Sequence, residues 1–266
     1  MKALAIGVDV GSTTFKAVVL DGAGHVIAYR VEPADPRIEP QVDRLLDELQ
    51  SVAPGAPIGA TGYGRKRVRS GRPLTEITCH ARGAFAHVRE GGVLLDMGGQ
   101  DTKVIRFGMD GRVEDFAMND KCAAGTGRFL EVILARLGVP LANVLYETLS
   151  AGKAVSISST CTVFAESEVV SLIASGEPVA GIVRGLHQAL ASRVASLFHS
   201  GRHPGGRVLM SGGVALNAAM VAALEERLGR TMEVLPQPQL VGAIGAALTV
   251  LPSAAGDIPE QGCGPP

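Results

Sequence analysis

The sequence predicts an α/β fold of two lobes, because one strand–turn–strand pattern occurs twice and a helical region follows. An apolar run at residues 3–10 leads into a glycine turn, and a shorter run at 93–96 leads into another. Each turn is followed by two more short apolar runs, which is typical of a three-stranded meander. After the second meander the apolar residues recur about every 3.6 positions, which indicates helices. Each lobe is therefore expected to hold a mixed sheet flanked by helices.

Residues 1–91 are predicted to form the N-terminal lobe. The helix at 39–52 is indicated by Val42, Leu45 and Leu49, which fall on one helical face. The predicted strands of this lobe are 3–10, 15–20, 25–31 and 57–60, and the predicted helices are 39–52 and 79–89.

Residues 92–239 are predicted to form the C-terminal lobe. The small-residue helix at 240–251 is expected to pack back on the N-terminal lobe, and residues 252–266 are expected to be a loose tail. The predicted strands of the C-terminal lobe are 93–96, 103–107, 113–118, 207–210 and 232–235, and the predicted helices are 126–137, 164–175, 179–200 and 216–228.

Composition excludes several classes of function. The 25 Lys and Arg residues nearly balance the 26 Asp and Glu residues, so no general basic field attracts nucleic acid. Tryptophan is absent and aromatic residues make up 4% of the chain, which leaves little for base stacking. The uncharged segment 234–256 contains Pro236, Pro238 and Pro252, which favours a buried helix over a membrane span. We therefore expect a cytoplasmic protein that binds neither nucleic acid nor membrane.

The first glycine turn carries groups that suit a phosphate. Asp9 stands at the end of its strand, where its carboxylate suits Mg²⁺ held through water. A turn of this composition also occurs in routine hairpins, so this motif alone leaves both interpretations open. The residues expected to contact phosphate are Gly11, Ser12, Thr13, Thr14 and Lys16.

Two further glycine turns strengthen the nucleotide interpretation. Asp96 precedes Gly98 and Gly99, and a third apolar strand enters Gly212 and Gly213 at a predicted helix N-terminus. Such a helix end presents unpaired N–H groups and a positive dipole. The chain has neither a Walker A pattern nor a complete G-x-G-x-x-G. Three turns that each follow a strand predict a nucleotide held between two lobes.

Two of the four cysteines precede predicted helices. Cys122 lies before the helix at 126–137 and Cys161 before the helix at 164–175, and a helix N-terminus stabilises a thiolate. Two buried cysteines, a redox pair or a zinc clamp would also fit this spacing. A two-fold dimer would bring four such thiolates to its axis.

Five segments carry a resemblance to a known family, namely Asn119–Phe129, Ile157–Val169, Leu95–Val104, Ser211–Asn217 and Gly62–Arg65. They resemble the ATP-dependent activators of 2-hydroxyacyl-CoA dehydratases and the ATPase subunits of benzoyl-CoA reductases, within the acetate and sugar kinase, heat-shock chaperone and actin superfamily. The resemblance spans roughly residues 4–250 and implies an actin-like ATPase fold with ATP in the cleft.

The resemblance also implies a metal cluster. In this family a homodimer, or a pair of paralogous subunits, holds one 4Fe–4S cluster between subunits, so Cys122 and Cys161 are the implied ligands. Cys79 is expected in the core, and Cys263 is expected to be free in the tail. His80 and His87 are expected to be ordinary packing or surface residues.

The resemblance assigns roles within the cleft. It places Asp9 and Asp96 near Mg²⁺ and its waters, the first two turns around the β and γ phosphates, and the third turn on the adenosine side. Gln100 is the candidate for positioning the attacking water.

The expected function is that of an ATP-driven electron injector. A reduced ferredoxin or flavodoxin would supply electrons, and a CoA-ester dehydratase would receive them singly at low potential. Segment 236–245 looks more like the benzoyl-CoA reductase subunits, so a reductase partner stays open. A small-molecule kinase with Asp101 as its base is a remote alternative that leaves Cys122 and Cys161 unexplained. A bridging cluster is expected to make the protein oxygen-sensitive.

Overall fold

The first sheet is built around the opening strand of the chain. The structure is a computed structural model that describes residues 4–120, 122–158, 161–201 and 206–252. The sheet has the order β3-β2-β1-β4-β5, in which β1, β2 and β3 are antiparallel neighbours and β4 and β5 run parallel to β1. Its strands are β1 (Ala5–Val10), β2 (Thr14–Leu20), β3 (Val26–Pro33), β4 (Ile58–Thr61) and β5 (Arg72–Pro73).

The second sheet repeats this arrangement. Its order is β10-β9-β6-β7-β8, with the antiparallel meander on one side of the central strand and the parallel strands on the other. This confirms the predicted α/β fold with a repeated strand–turn–strand sheet. The strands are β6 (Gly92–Met97), β7 (Thr102–Phe107), β8 (Val113–Asn119), β9 (Val208–Ser211) and β10 (Glu233–Val234).

Helices cover both sheets in layers. The first sheet packs α1 on one face and α8 on the other, because alternate residues of its strands point to opposite faces. The second sheet packs α2 on one face and most later helices on the other. The helices are α1 (Ile38–Val52), α2 (Glu76–Val88), α3 (Gly127–Leu137), α4 (Val144–Ser150), α5 (Thr162–Ala174), α6 (Val179–Ser200), α7 (Ala218–Leu228) and α8 (Val241–Val250).

Helices α2 and α8 lie between the sheets and pack closely on each other. Small residues permit the approach, since a Cβ added at Gly83 or Gly245 would overlap backbone of the facing helix. Helix α8 also contacts Ala5, Val18 and Leu20 of the first sheet. The space between the sheets is therefore filled by two helices at one end.

Some sequence expectations on the elements were wrong. The helix expected over 216–228 begins at Ala218, because a 3₁₀ turn over Gly213–Leu216 precedes it and the Asn217 side chain accepts a hydrogen bond from Met220 N. Helix α4 and strand β5 were not predicted. The expected tail, residues 252–266, and Cys263 lie outside the described residues, apart from Pro252. Among the described residues, no single helix is long and apolar enough to cross a bilayer. Helix α3 and segment 141–150 have sufficient length and apolarity only when taken together, and the pair is bent by 92°.

Candidate nucleotide site and cysteine face

The three glycine turns line one cavity of about 450 Å³. Residues from both sheets contribute to it, because the turns follow β1, β6 and β9 at corresponding ends of their strands. The cavity brings together all the residues predicted to handle nucleotide, metal or water. They are Asp9, Gly11, Ser12, Thr13, Thr14, Lys16, Asp96, Gly98, Gly99, Gln100, Gly212 and Gly213.

The first turn is closed by its own backbone. Gly11 N donates to Thr14 O at 3.1 Å, and Lys16 Nζ lies 3.2 Å from Asp9 Oδ2. A Cβ at Gly11 would stand 2.8 Å from Thr14 O and 3.2 Å from Lys16 Nζ. Glycine therefore keeps this turn tight and leaves its N–H groups and hydroxyls on the cavity side.

The second turn has the same closure and touches the first. Gly98 N donates to Asp101 O at 2.9 Å. A Cβ at Gly99 would overlap the side chain of Thr13, which belongs to the first turn. The two turns thus meet at van der Waals distance, as a cradle for a phosphate chain requires.

Asp96 is held by three side chains. Ser211 Oγ donates to Oδ1 at 2.6 Å, while His80 Nε2 and Lys103 Nζ lie 3.4 and 3.5 Å from Oδ2. Lys103 Nζ also lies 2.7 Å from Asp101 Oδ2. Burial by itself would raise the pKa of Asp96, but His80 and Lys103 outweigh it and hold the pKa at about 2. The Asp96 carboxylate is therefore charged and engaged on both oxygens.

His80 and Lys103 were not assigned to the site from sequence. His80 is buried, and its Nδ1 lies 2.9 Å from Glu76 O one helical turn earlier, which leaves Nε2 toward Asp96. Lys103 could have been found from the match between Asp9–Lys16 and Asp96–Lys103, which both end in lysine. For His80 no local pattern gives the contact, because it forms only when α2 packs on the second sheet.

The third turn differs from its prediction. Gly212 adopts φ +88° and donates its N–H to Pro238 O at 2.9 Å, and a Cβ there would overlap the Met97 carbonyl. A 3₁₀ turn follows it, so this turn is not the N-terminus of α7. Asn217 instead caps α7 and lines the cavity, and its Nδ2 lies 3.0 Å from Nε2 of the buried His187. Burial lowers the pKa of His187, so a neutral ring accepts this hydrogen bond.

The two predicted ligand cysteines are exposed at the starts of helices. Cys161 is the residue before α5, and Cys122 lies in the loop that leads into α3. Asn119 Nδ2 donates to Cys122 O at 3.0 Å and to Ala124 O at 3.1 Å, which fixes this loop. Cys79 is buried, and burial raises the pKa of its thiol to about 12, which confirms that it belongs to the core.

The cysteines fit a shared cluster by their number and exposure. A 4Fe–4S cluster takes four thiolates, and two exposed thiols from each of two subunits would supply them. Within the portion of one chain that the structure describes, no three His, Cys, Asp or Glu side chains form a metal-binding group. Val163 and Phe164, next to Cys161, are each 68% exposed, so the surface beside Cys161 is apolar and suited to burial against a partner.

A backbone connection joins the cavity to the cysteine loop. The N–H groups of Gly127 and Arg128, the first two residues of α3, donate to Gly98 O at 2.9 Å and Gly99 O at 2.7 Å. Thr102 Oγ1 also donates to Gly125 O at 2.6 Å. The second glycine turn therefore holds the N-terminus of the helix that follows Cys122.

Two related mixed sheets around a common cavity define the class of protein as an actin-like ATPase. More narrowly, the chain belongs to the BadF/BadG/BcrA/BcrD ATPase family, which matches residues 6–250.

Named relatives and a solved structure agree with this family. The activator of lactoyl-CoA dehydratase from Anaerotignum propionicum is 42% identical over 250 residues, covering 91% of this chain and 95% of the relative. A benzoyl-CoA reductase subunit from Thauera aromatica is 30% identical and covers 92% of each chain. The activator of the 2-hydroxyisocaproyl-CoA dehydratase from Clostridium difficile, solved with bound ADPNP, superposes with a TM-score of 0.85 at 37% identity, over 94% of each chain.

Proposed function

We propose that this protein is an ATP-hydrolysing activator that delivers single low-potential electrons to a CoA-ester-processing enzyme, such as a 2-hydroxyacyl-CoA dehydratase, in the cytoplasm. Its family and its relatives support an ATPase of this kind. The observation that carries the proposal is the pair of hydrogen bonds between Gly98 and Gly99 and the first residues of α3. They connect a turn of the cavity to the loop that holds Cys122.

The cavity residues divide the work on ATP. The turns at Gly11–Thr14 and Gly98–Gly99 cradle the β and γ phosphates, and Gly212–Gly213 faces the adenosine side. Asp9 and Asp96 serve the Mg²⁺ site. The Asp9 carboxylate would hold the ion through water, and the Asp96 carboxylate fixes the side chains of Ser211, His80 and Lys103 beside it. Gln100 positions the attacking water. A γ-phosphate that touches both turns would hold the two sheets together, and its loss would release them.

The cysteine loop responds to the nucleotide through α3. When the second turn shifts, the two backbone hydrogen bonds carry α3 and the Cys122 loop with it. ATP changes this equilibrium only to the extent that it binds the two arrangements differently. The lobes that would move are residues 1–91 with the helix at 240–251, and residues 92–239.

Cys122 and Cys161 would hold a 4Fe–4S cluster between two subunits, either two copies of this chain or this chain and a paralogue. When bound, such a cluster accepts and releases one electron at a time. Reduced ferredoxin or flavodoxin is the proposed donor. Exposure of both thiols at the subunit boundary makes oxygen sensitivity the expected property.

A benzoyl-CoA reductase or another low-potential reductase is the alternative acceptor. The benzoyl-CoA reductase subunit from Thauera aromatica aligns over 92% of this chain at 30% identity, which supports a reductase as a second candidate acceptor. The chemistry on this chain is the same in both cases. Electron delivery to each purified acceptor, with this protein and ATP, separates the two.

Iron analysis of anoxically purified protein tests the proposal. About four irons and four sulfides per dimer are expected, with a broad visible band that fades on dithionite addition. Cys161→Ser should lose iron and electron delivery but keep ATP binding, since Cys161 lies outside the phosphate turns. Cys79→Ala is the matched control, because Cys79 is buried, and it should keep its iron.

Two results would contradict the proposal. A colourless, iron-free protein that cannot be reconstituted would remove electron transfer. Electron delivery that persists in Cys161→Ser would show that the ligand assignment is wrong.

A further inference from the structure

A second cavity, of about 310 Å³, lies beside Cys122, and the function proposed above leaves it unused. One side of it is the end of β8 with the loop that holds Cys122, and the other side is helix α6. Among the described residues that line it, Arg193 alone carries a permanent charge. A positive charge therefore shares this cavity with a predicted cluster ligand. The lining residues are Asn119, Cys122, Ala124, Gly125, Arg193, Val194 and Leu197.

The Arg193 side chain is held in this place by packing. Its guanidinium lies over the ring of Phe129, with 4.9 Å between Cζ and the ring centroid, and its Nη1 is buried. Stacking of this kind suits the planar, delocalised guanidinium. Phe129 is itself fully buried and belongs to the first turn of α3, the helix that follows Cys122. The ring therefore fixes the charge close to the start of that helix.

The charged groups that face Arg193 are the Cys122 thiolate and the Glu168 carboxylate on α5. Glu168 Oε1 accepts hydrogen bonds from Ser158 N and Ser158 Oγ, both at 2.8 Å, in the segment that leads to Cys161. Burial lowers the pKa of Arg193 and the two anionic groups oppose this change, but an arginine stays protonated throughout the physiological range. Arg193 therefore faces groups tied to the loops of both predicted ligands.

We propose that Arg193 sets the reduction potential of the cluster that Cys122 helps to hold, by placing a fixed positive charge beside the Cys122 thiolate. Net charge and polar contacts at the sulfurs are among the factors that set such a potential. The donor gives up one electron, which adds one negative charge at the sulfurs, and no bond forms or breaks. The guanidinium attracts this added charge, so Arg193 favours the reduced form and lets the donor supply the electron at a less negative potential.

This inference rests on the shared cluster of the proposed function. A wild-type protein that is iron-free and cannot be reconstituted would remove that function and the inference with it. The inference fails alone on a different result, in which the cluster binds but its potential does not depend on the charge at position 193. The two failures can therefore be told apart.

Redox titration of anoxically purified Arg193→Gln tests the role of the charge. At the midpoint potential of the wild type, the ratio of reduced to oxidised cluster should fall by about tenfold, which corresponds to ~59 mV for one electron. Arg193→Lys keeps the charge and should restore most of this ratio. Arg136→Gln is the matched control, because Arg136 is exposed in the last turn of α3, away from Cys122, and it should titrate as the wild type does.

A measurement on iron-free protein keeps the test decisive if Arg193→Gln does not retain its cluster. Iodoacetate is an anion and iodoacetamide is neutral, and both alkylate a thiolate, so the ratio of their rates at Cys122 reports the local charge. Arg193→Gln should lower this ratio several-fold, whereas Arg193→Lys and Arg136→Gln should leave it near the wild-type value. A change of shape alone would alter both rates together and leave their ratio unchanged.

Three results would overturn the proposal. A cluster-loaded Arg193→Gln with the wild-type potential would show that the charge does not act on the cluster. An unchanged ratio of alkylation rates at Cys122 would show that the guanidinium does not act on this thiolate. Equal shifts of the potential in Arg193→Gln and Arg193→Lys would assign the effect to packing on Phe129 instead of charge.

Discussion

The segments Asp9–Lys16 and Asp96–Lys103 are two copies of one turn with different surroundings. Both have aspartate first, glycine third and lysine eighth, and in both the aspartate pairs in register with the lysine across the hairpin. In the first copy, Lys16 is the only side chain among the described residues that bonds to the aspartate. In the second, three side chains surround the aspartate. The same pattern of aspartate, glycine and lysine therefore occurs once in a turn whose aspartate stays open to a ligand and once in a turn whose aspartate is fixed within the protein.

The parallel neighbours of the two turns extend the comparison. Thr61 lies beside Asp9 and Ser211 beside Asp96, and each is followed by a glycine, Gly62 or Gly212, with φ near +88°. Ser211 bonds to Asp96, whereas Thr61 Oγ1 faces Leu74 O at 3.4 Å. The backbone conformation is therefore the same in both copies, whereas the side-chain hydrogen bonds of Thr61 and Ser211 differ.

Replacing each aspartate gives the largest expected difference between the copies. Asp96→Asn should lower the free energy of unfolding by about 3 kcal/mol, because Lys103 stays buried with only part of its compensating charge. Asp9→Asn should cost about 1 kcal/mol, since Lys16 reaches solvent, and should weaken Mg-ATP binding instead. Urea unfolding without nucleotide, at one protein concentration, measures both. Equal losses would contradict the distinction.

Acid should remove the stabilisation that the charged Asp96 carboxylate gives to the second copy. The pKa of Asp96 falls from 3.8 to about 2 on folding, so its stabilisation is present above pH 3.8 and is lost as the pH falls toward 2. The amount is about 2 kcal/mol. The difference in unfolding free energy between wild type and Asp96→Asn should shrink over this range. A difference that is constant from pH 5 to about 2 would count against the charged pairing.

The hydroxyls beside the aspartates should show the smallest contrast. Ser211→Ala removes a 2.6 Å bond to a charged carboxylate and should cost about 1.5 kcal/mol. Thr61→Val removes a long, weak contact and should cost about 0.5 kcal/mol or less. Thermal and urea unfolding of both variants measure the contrast. If Thr61→Val were the more costly change, the assignment of the fixed turn to the second copy would be wrong.

Local sequence predicted most of the fold because the elements have strong patterns. The strands around Asp9 and Asp96 and the long helix α6 agree closely with expectation, since apolar periodicity and glycine turns define them. Helix α4 was missed because it is short and Val144 is its buried residue, while Tyr146 and Leu149 are exposed. Such a segment has no apolar stripe to detect.

Some residues of the site could not be predicted from the sequence, because only tertiary contacts bring them there. The predicted cavity residues come together because they follow strands that end at one edge of each sheet. His80 and Glu76, which also line the cavity, come from α2, whose place between the sheets no spacing rule predicts. The start of α7 was placed too early, because the Asn217 side chain caps the helix only after a 3₁₀ turn.

The hydrogen bonds from α3 to Gly98 and Gly99 use main-chain atoms on both sides. Divergence of side chains in a redesigned protein would therefore leave this connection in place, as long as the backbone keeps its path. Proline is the exception among the twenty amino acids, because it lacks the N–H donor. Arg128→Pro is therefore the first substitution to try for uncoupling ATP turnover from the loop that holds Cys122. It removes one of the two hydrogen bonds and leaves the side chains of the cavity and the cysteines unchanged.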